Sequence, residues 1–149
     1  MPTNYPCSFT VPAGSAGGKL TGGFAGAVRP TLQNGDSITV SVSFAAGDPN
    51  APTNLNGIFV YTASSDASNQ STPSPFLNGV SQNFICLAGG NYSSAVAQGN
   101  SLVYTFQPWT YRGGKPGSYE LTFVASNDTG SAQGTPIQWS EDPEFETGN

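Results

Sequence analysis

The residues that could do chemistry in this chain are few, because it contains no histidine. Histidine is the usual general base near neutral pH, a common zinc ligand and the middle member of a Ser-His-Asp triad. Without it, neither Cys7 nor Cys86 has an imidazole to activate it as a nucleophile. The Gly-Gly-Lys-Pro string at 113–116 lacks the spacing of a phosphate-binding loop and leads into a predicted strand. We therefore expect a protein that is not an enzyme and has no resident cofactor.

Clustered carboxylates are the remaining reactive groups. Four of the nine acidic residues lie in the short segment 141–146. Glycoside hydrolysis needs two carboxylates facing each other across a cleft, about 5–10 Å apart, which neighbours on one strand do not easily achieve. One interpretation is a solvated acidic tail that keeps an edge strand from pairing; the other is a calcium site, since calcium takes several oxygen ligands from loops. The residues of the calcium hypothesis are Asp48, Asn50, Glu141, Asp142 and Glu144.

The loop at 109–115 is a second candidate site. It places Trp109 and Tyr111 beside Arg112 and Lys115, two of the four basic residues of the chain. Aromatic faces stack on sugar rings while polar groups bind the hydroxyls, so these four residues form our ligand-binding hypothesis. In the alternative interpretation, Trp109 closes the open end of the core and Tyr111 packs beside it, because large aromatic residues are mostly buried.

The composition limits the partners. Charged residues make up 9% of the chain, against roughly 25% in an average soluble domain. A net charge of −5 with only four basic residues argues against nucleic acid and against an anionic membrane surface. No apolar run approaches the roughly 18 residues of a membrane-spanning helix. The first residues show no signal peptide, whereas the polar, glycine-rich composition is typical of a secreted or surface-exposed protein, and these two indications conflict.

Alternating apolar and polar residues predict the elements that must position these groups. The clearest strand is 37–44, where Ile38, Val40, Val42 and Phe44 fall on one face and Ser and Thr on the other. The other predicted strands are 7–11, 20–28, 57–62, 83–87, 101–107, 118–126 and 137–140. The breaks between them are rich in Gly, Pro, Asn and Asp. We expect one domain, residues 1–149, with an all-β fold: an antiparallel β-sandwich of about eight strands.

Two of these strands resemble those of bacterial immunoglobulin-like modules. The segment 35–44, Gly-Asp-Ser-Ile-Thr-Val-Ser-Val-Ser-Phe, is similar to their second strand, and 116–127, Pro-Gly-Ser-Tyr-Glu-Leu-Thr-Phe-Val-Ala-Ser-Asn, to their penultimate strand. The resemblance implies an immunoglobulin-like sandwich in which Tyr119 forms a tyrosine corner, its hydroxyl bonding back to the preceding loop. It implies no activity. The paired Cys and central Trp of antibody-type domains are missing at the required spacing.

Three functional hypotheses follow. The first is a non-enzymatic module that binds carbohydrate or another neutral polar ligand through its loops. The alternative is a structural or assembly protein, such as an appendage, virion or particle subunit, that forms homo-oligomers through strand edges such as 7–11 and 137–140. The third is a calcium-dependent interaction module. In each, Cys7 and Cys86 form either one disulfide or two free thiols that face the core.

Overall fold

The computed structural model describes residues 1–63, 84–85, 92–113, 116–127, 137–141 and 143–148. Its regular structure in these segments is β-strand, apart from one 3-10 turn at Ala25–Ala27. No helix in the described segments is long and apolar enough to cross a membrane. The all-β class predicted from the alternation is confirmed.

Fourteen strands follow one another in the described part of the chain. In order they are β1 Asn4–Thr10, β2 Gly18–Lys19, β3 Thr21–Phe24, β4 Thr31–Leu32, β5 Ser37–Ala45, β6 Asn54–Ala63, β7 Phe84–Ile85, β8 Tyr92–Ser94, β9 Val96–Gln98, β10 Ser101–Thr105, β11 Trp109–Thr110, β12 Gly117–Ser126, β13 Gln138–Glu141 and β14 Glu144–Thr147. Several are only two or three residues long, which is why the sequence pattern predicts fewer.

The strands form two sheets. Sheet A has the order β3-β1-β5-β10-β9, with β11 also pairing with β5. Sheet B is built around β12: β6 pairs along one edge, while β14 and β13 share the other edge, one after the other. Beyond them, β4 pairs with β14, β2 pairs with β13, and β7 and β8 pair with β6.

Three of these pairings are parallel, namely β1 with β5, β2 with β13 and β4 with β14. The sheets are therefore mixed, which differs from the purely antiparallel arrangement that the sequence predicts. Asp36 shows how the first parallel pair is held, since its buried carboxylate accepts from the Thr3 amide at 2.6 Å and the Gln33 amide at 2.8 Å. The segment 7–11, expected at a sheet edge, lies mostly in β1, between β3 and β5.

One core joins the two sheets. On β5, Ile38, Val40, Val42 and Phe44 are all buried, as the alternation predicts. Aromatic rings cross from sheet to sheet: Phe9 of β1 stacks on Phe123 of β12 with centroids 5.6 Å apart, and Phe44 meets Trp139 edge-on at 5.1 Å. Burying a side chain of this size contributes about 1.5–3 kcal/mol. Trp139 is fully buried.

Cys7 is a free, buried thiol in this core, while Cys86 lies outside the described residues. Burial raises the pKa of the Cys7 thiol from 9.0 to about 12. The neutral thiol therefore stabilises the fold fully below pH 9, and this contribution is lost as the pH rises towards 12, because the unfolded chain loses its proton first.

We expect wild type to lose more stability than Cys7→Ala on going from pH 8 to pH 10.5, by about 2 kcal/mol. Urea unfolding followed by circular dichroism at both pH values measures this difference. The pKa values of Tyr104 and Tyr119 are also raised by burial, but both tyrosines remain in the variant and cancel in the comparison. If the free energy of unfolding changes equally with pH in the two proteins, the raised pKa of the buried Cys7 thiol is contradicted.

Candidate functional site

The structure places the two aromatic residues of the 109–115 loop in the core. Trp109 is 9% exposed and Tyr111 is fully buried. Trp109 is buried because β11 pairs with β5, which sets Trp109 opposite the inward-facing Ile38. The Tyr111 hydroxyl donates to the Gly148 carbonyl at 2.6 Å, which fixes that ring further.

A stacking platform on this loop would therefore require both rings to leave the core. Of the two basic residues in the same hypothesis, Arg112 is exposed and Lys115 lies outside the described residues. The arrangement agrees with the alternative interpretation, in which these aromatic side chains pack beneath the sheet ends.

The described acidic residues of the calcium hypothesis have protein partners. Asp48 accepts hydrogen bonds from the Gly14 amide at 3.2 Å and the Asn50 amide at 2.9 Å, which hold its loop in shape. Glu141 lies 3.6 Å from the Lys19 ammonium, and Glu144 pairs with Arg29. Asp142 is outside the described residues, and within them no group of three or more Cys, Asp or Glu is placed to hold a metal ion.

The acidic segment near residue 145 is a strand, not a solvated tail. In β14, Phe145 is fully buried and stacks on Tyr119 with centroids 5.4 Å apart. The Tyr119 side chain also hydrogen-bonds that of Thr147, another β14 residue. Burial of alternate residues turns Glu144 and Glu146 outward, where both form ion pairs with Arg29. The sequence interpretation missed this strand because its outward residues dominate the composition.

A cleft of about 600 Å³ lies where the chain passes between the two sheets. The chain leaves sheet B after β2, enters sheet A as β3, and returns to sheet B at β4. Gly22, Gly23 and Ser8 line the cleft on the sheet A side, and Arg29 and Glu144 line it on the other. Clefts of about 300–1,000 Å³ are typical of small-molecule sites.

Gly23 helps to keep this cleft open, whereas Gly22 allows β3 to lie close to the backbone of β1. Gly22 has φ +120° and Gly23 has φ +150°, conformations that residues with a side chain rarely adopt. A Cβ at Gly22 would overlap the Ser8 carbonyl oxygen, and one at Gly23 would lie 4.0 Å from the Pro143 Cβ across the cleft. Because Gly23 has no side chain, the hydroxyl of its pairing partner Ser8 is accessible from the cleft.

The wall of the cleft is apolar and its rim is polar. Phe24, Val28 and Pro143 supply the apolar surface, and Val28 is 61% exposed, so its side chain is accessible to a ligand. The rim carries Arg29, which pairs with Glu144 and lies 3.6 Å from Glu146. With Glu146, an ion-pair partner of Arg29 that does not itself line the cleft, the charges of this cluster sum to −1, which disfavours an anionic ligand.

Sequence reasoning missed the cleft because its lining comes from three separate segments. The one available signal was the glycine pair within the predicted strand 20–28, since consecutive glycines often mark a bulge or a close backbone approach. Nothing in the sequence indicates that Pro143 and Glu144 face that pair.

Comparison of the chain with protein-family models, with curated proteins and with solved structures finds no match. The immunoglobulin-like resemblance therefore depends on the two segments 35–44 and 116–127 alone.

Proposed function

We propose that this protein is a non-enzymatic, immunoglobulin-like sandwich module that binds a neutral carbohydrate, or a similarly polyhydroxylated ligand, in the cleft beside β3. The observation that carries the proposal is the lining of the cleft, which combines side-chain-free backbone at Gly22 and Gly23 with an apolar wall and a hydrogen-bonding rim. The sandwich assignment is supported by the aromatic contacts that join the two sheets.

A sugar ring matches this lining group by group. Its C–H face is apolar and suits Val28 and Pro143, while its hydroxyls both donate and accept. The Arg29 guanidinium offers donors, the Glu144 carboxylate accepts, and the Ser8 hydroxyl does both. The net negative rim and the low charge of the whole chain favour a neutral ligand over an acidic one.

Binding without catalysis also agrees with the residues of the cleft. The chain has no histidine, and the one carboxylate that lines the described cleft, that of Glu144, is held in an ion pair with Arg29. The described lining of the cleft therefore supplies groups that can hydrogen-bond a ligand, with no second carboxylate opposite Glu144.

Nuclear magnetic resonance titration tests the proposal directly. We expect glucose, galactose, mannose or xylose to shift the amide signals of Gly22 and Gly23 saturably, with a Kd on the order of 1 mM, since a single sugar has few atoms to contribute. Glucuronate, the anionic comparison, should bind more weakly because of the rim charge.

Two variants locate the binding. Ser8→Trp fills the cleft from an exposed strand position and should abolish the shifts. Gln98→Trp is the control: it lies at an exposed position of β9, the edge strand of sheet A farthest from β3, and should leave the shifts unchanged. If no neutral sugar of the panel gives a saturable shift, or if Ser8→Trp binds as wild type does, the proposal is wrong.

A further inference from the structure

A row of hydroxyl groups begins at the cleft and crosses sheet A. Gly23 of β3 pairs with Ser8 of β1, Ser8 pairs with Ser41 of β5, and Ser41 pairs with Thr105 of β10. These four residues therefore lie side by side across four neighbouring strands. With strands about 4.8 Å apart, the row extends about 10 Å from Ser8 at the cleft to Thr105.

All three side chains of this row project from the outer face of the sheet. Ser8 is exposed between the buried Cys7 and Phe9, and Thr105 is exposed between two buried aromatic residues. Ser41 is half-buried between the buried Val40 and Val42. Since side chains alternate between the faces of a strand, burial of these neighbours fixes the outward direction of the row.

The hydroxyls retain capacity for a ligand. Ser41 donates to Ser8 across the strands at an oxygen–oxygen distance of 3.2 Å. A hydroxyl can donate one hydrogen bond and accept two, so this contact occupies only part of the capacity of either group. The row thus offers donors and acceptors at each of three successive strands, which is what a chain of hydroxylated units needs.

The face around the row is uncharged. None of the outward-facing residues of β1, β5 and β10 is acidic or basic; they are Asn4, Pro6, Ser8 and Thr10 on β1, Ser37, Thr39, Ser41, Ser43 and Ala45 on β5, and Ser101, Val103 and Thr105 on β10. A charged polymer such as nucleic acid would gain no ion pairs here. A neutral hydroxylated polymer would instead exchange hydrogen bonds with water for hydrogen bonds with the row.

We infer that the ligand is a linear chain of several neutral sugar units, with one unit in the cleft and the next units along the row from Ser8 towards Thr105. This inference rests on the proposed function of the cleft and extends it, because the row is longer than one sugar ring. The absence of a side chain at Gly23, which pairs with Ser8, leaves the passage from the cleft to the row unobstructed at its first step.

Chain length is the variable that tests this inference. Titration with linear oligomers of one to four glucose, mannose or xylose units should give a Kd that falls with length, about fivefold for each unit that gains a hydrogen bond to the row. With the longer oligomers, amide shifts should spread from Gly22 and Gly23 to Ser41 and Thr105, whereas a single unit should affect only the cleft.

A matched pair of variants assigns the effect to the row. Thr105→Val removes the last hydroxyl and should weaken binding of the trimer and tetramer about fivefold while leaving the monosaccharide unchanged. Thr110→Val makes the same substitution next to Ser37, at the other end of the same face, and should change neither. If the monosaccharide binds but length or Thr105→Val has no effect, this inference is wrong and the cleft proposal stands. If no oligomer of any length binds, both are wrong.

Discussion

Replacing Gly22 by alanine is expected to destabilise the protein by more than about 3 kcal/mol. Two effects add at this position. The φ of +120° is strained for any residue with a side chain, and the new Cβ would overlap the Ser8 carbonyl oxygen on β1. A backbone atom of a paired strand cannot move aside as the end of a flexible side chain can, so β3 has to separate from β1. Urea unfolding followed by circular dichroism gives the change in free energy.

Gly18→Ala is the matched control for this variant. Gly18 has nearly the same φ, +110°, but nothing lies within 4 Å of the position where its Cβ would be. Gly18→Ala should therefore lower the free energy of unfolding only by the cost of the unfavourable φ, about 1–2 kcal/mol. The difference between the two variants measures the overlap alone. Equal losses would show that β1 and β3 are not as close as the structure has them.

Trp139→Ala should destabilise the protein by about 3–5 kcal/mol, the range for deleting a large buried aromatic side chain. Trp139 is fully buried, packs edge-on against Phe44 and donates its indole N–H to the Ser15 hydroxyl at 3.3 Å. It therefore connects β13 in sheet B to β5 in sheet A and to the loop before β2. Its removal leaves a cavity at the point where the two sheets meet.

Trp139→Phe separates the two contributions. The phenyl ring retains much of the packing on Phe44 but has no N–H for Ser15, so we expect a loss of about 1–2 kcal/mol. Circular dichroism is the appropriate signal, because it follows the strands directly, whereas the fluorescence of both variants comes from Trp109 alone and differs from that of wild type. A loss below about 1 kcal/mol for Trp139→Ala would mean that this ring does not join the sheets.

The burial pattern of single strands could be predicted from the sequence, because it is a local property. For β5, the alternation of Ile38, Val40, Val42 and Phe44 with Ser and Thr predicts both the strand and its inner face. The direction of pairing could not be predicted. Whether β1 pairs parallel or antiparallel to β5 depends on how the chain passes between the sheets, and the same alternation serves either direction.

The sequence was less informative about the candidate site. Trp109 and Tyr111 attract attention as ligand-binding residues because of their type, yet pairing of two-residue β11 with β5 puts them inside. The cleft depends on positions that have no side chain, Gly22 and Gly23, and on Arg29 meeting Glu144, 115 positions away. Residue type gives no indication of such a long-range contact.

Parallel pairing of distant segments also has a consequence for how the chain folds. Thr31 pairs with Glu146, and Lys19 pairs with Ser140, so both pairs close very long loops. Loop closure costs entropy before any contact compensates for it, which predicts high contact order and slow folding on the millisecond-to-second scale. A nascent chain that has not yet reached position 138 lacks the partners of β2 and β4, and has to remain free of aggregation until they emerge from the ribosome.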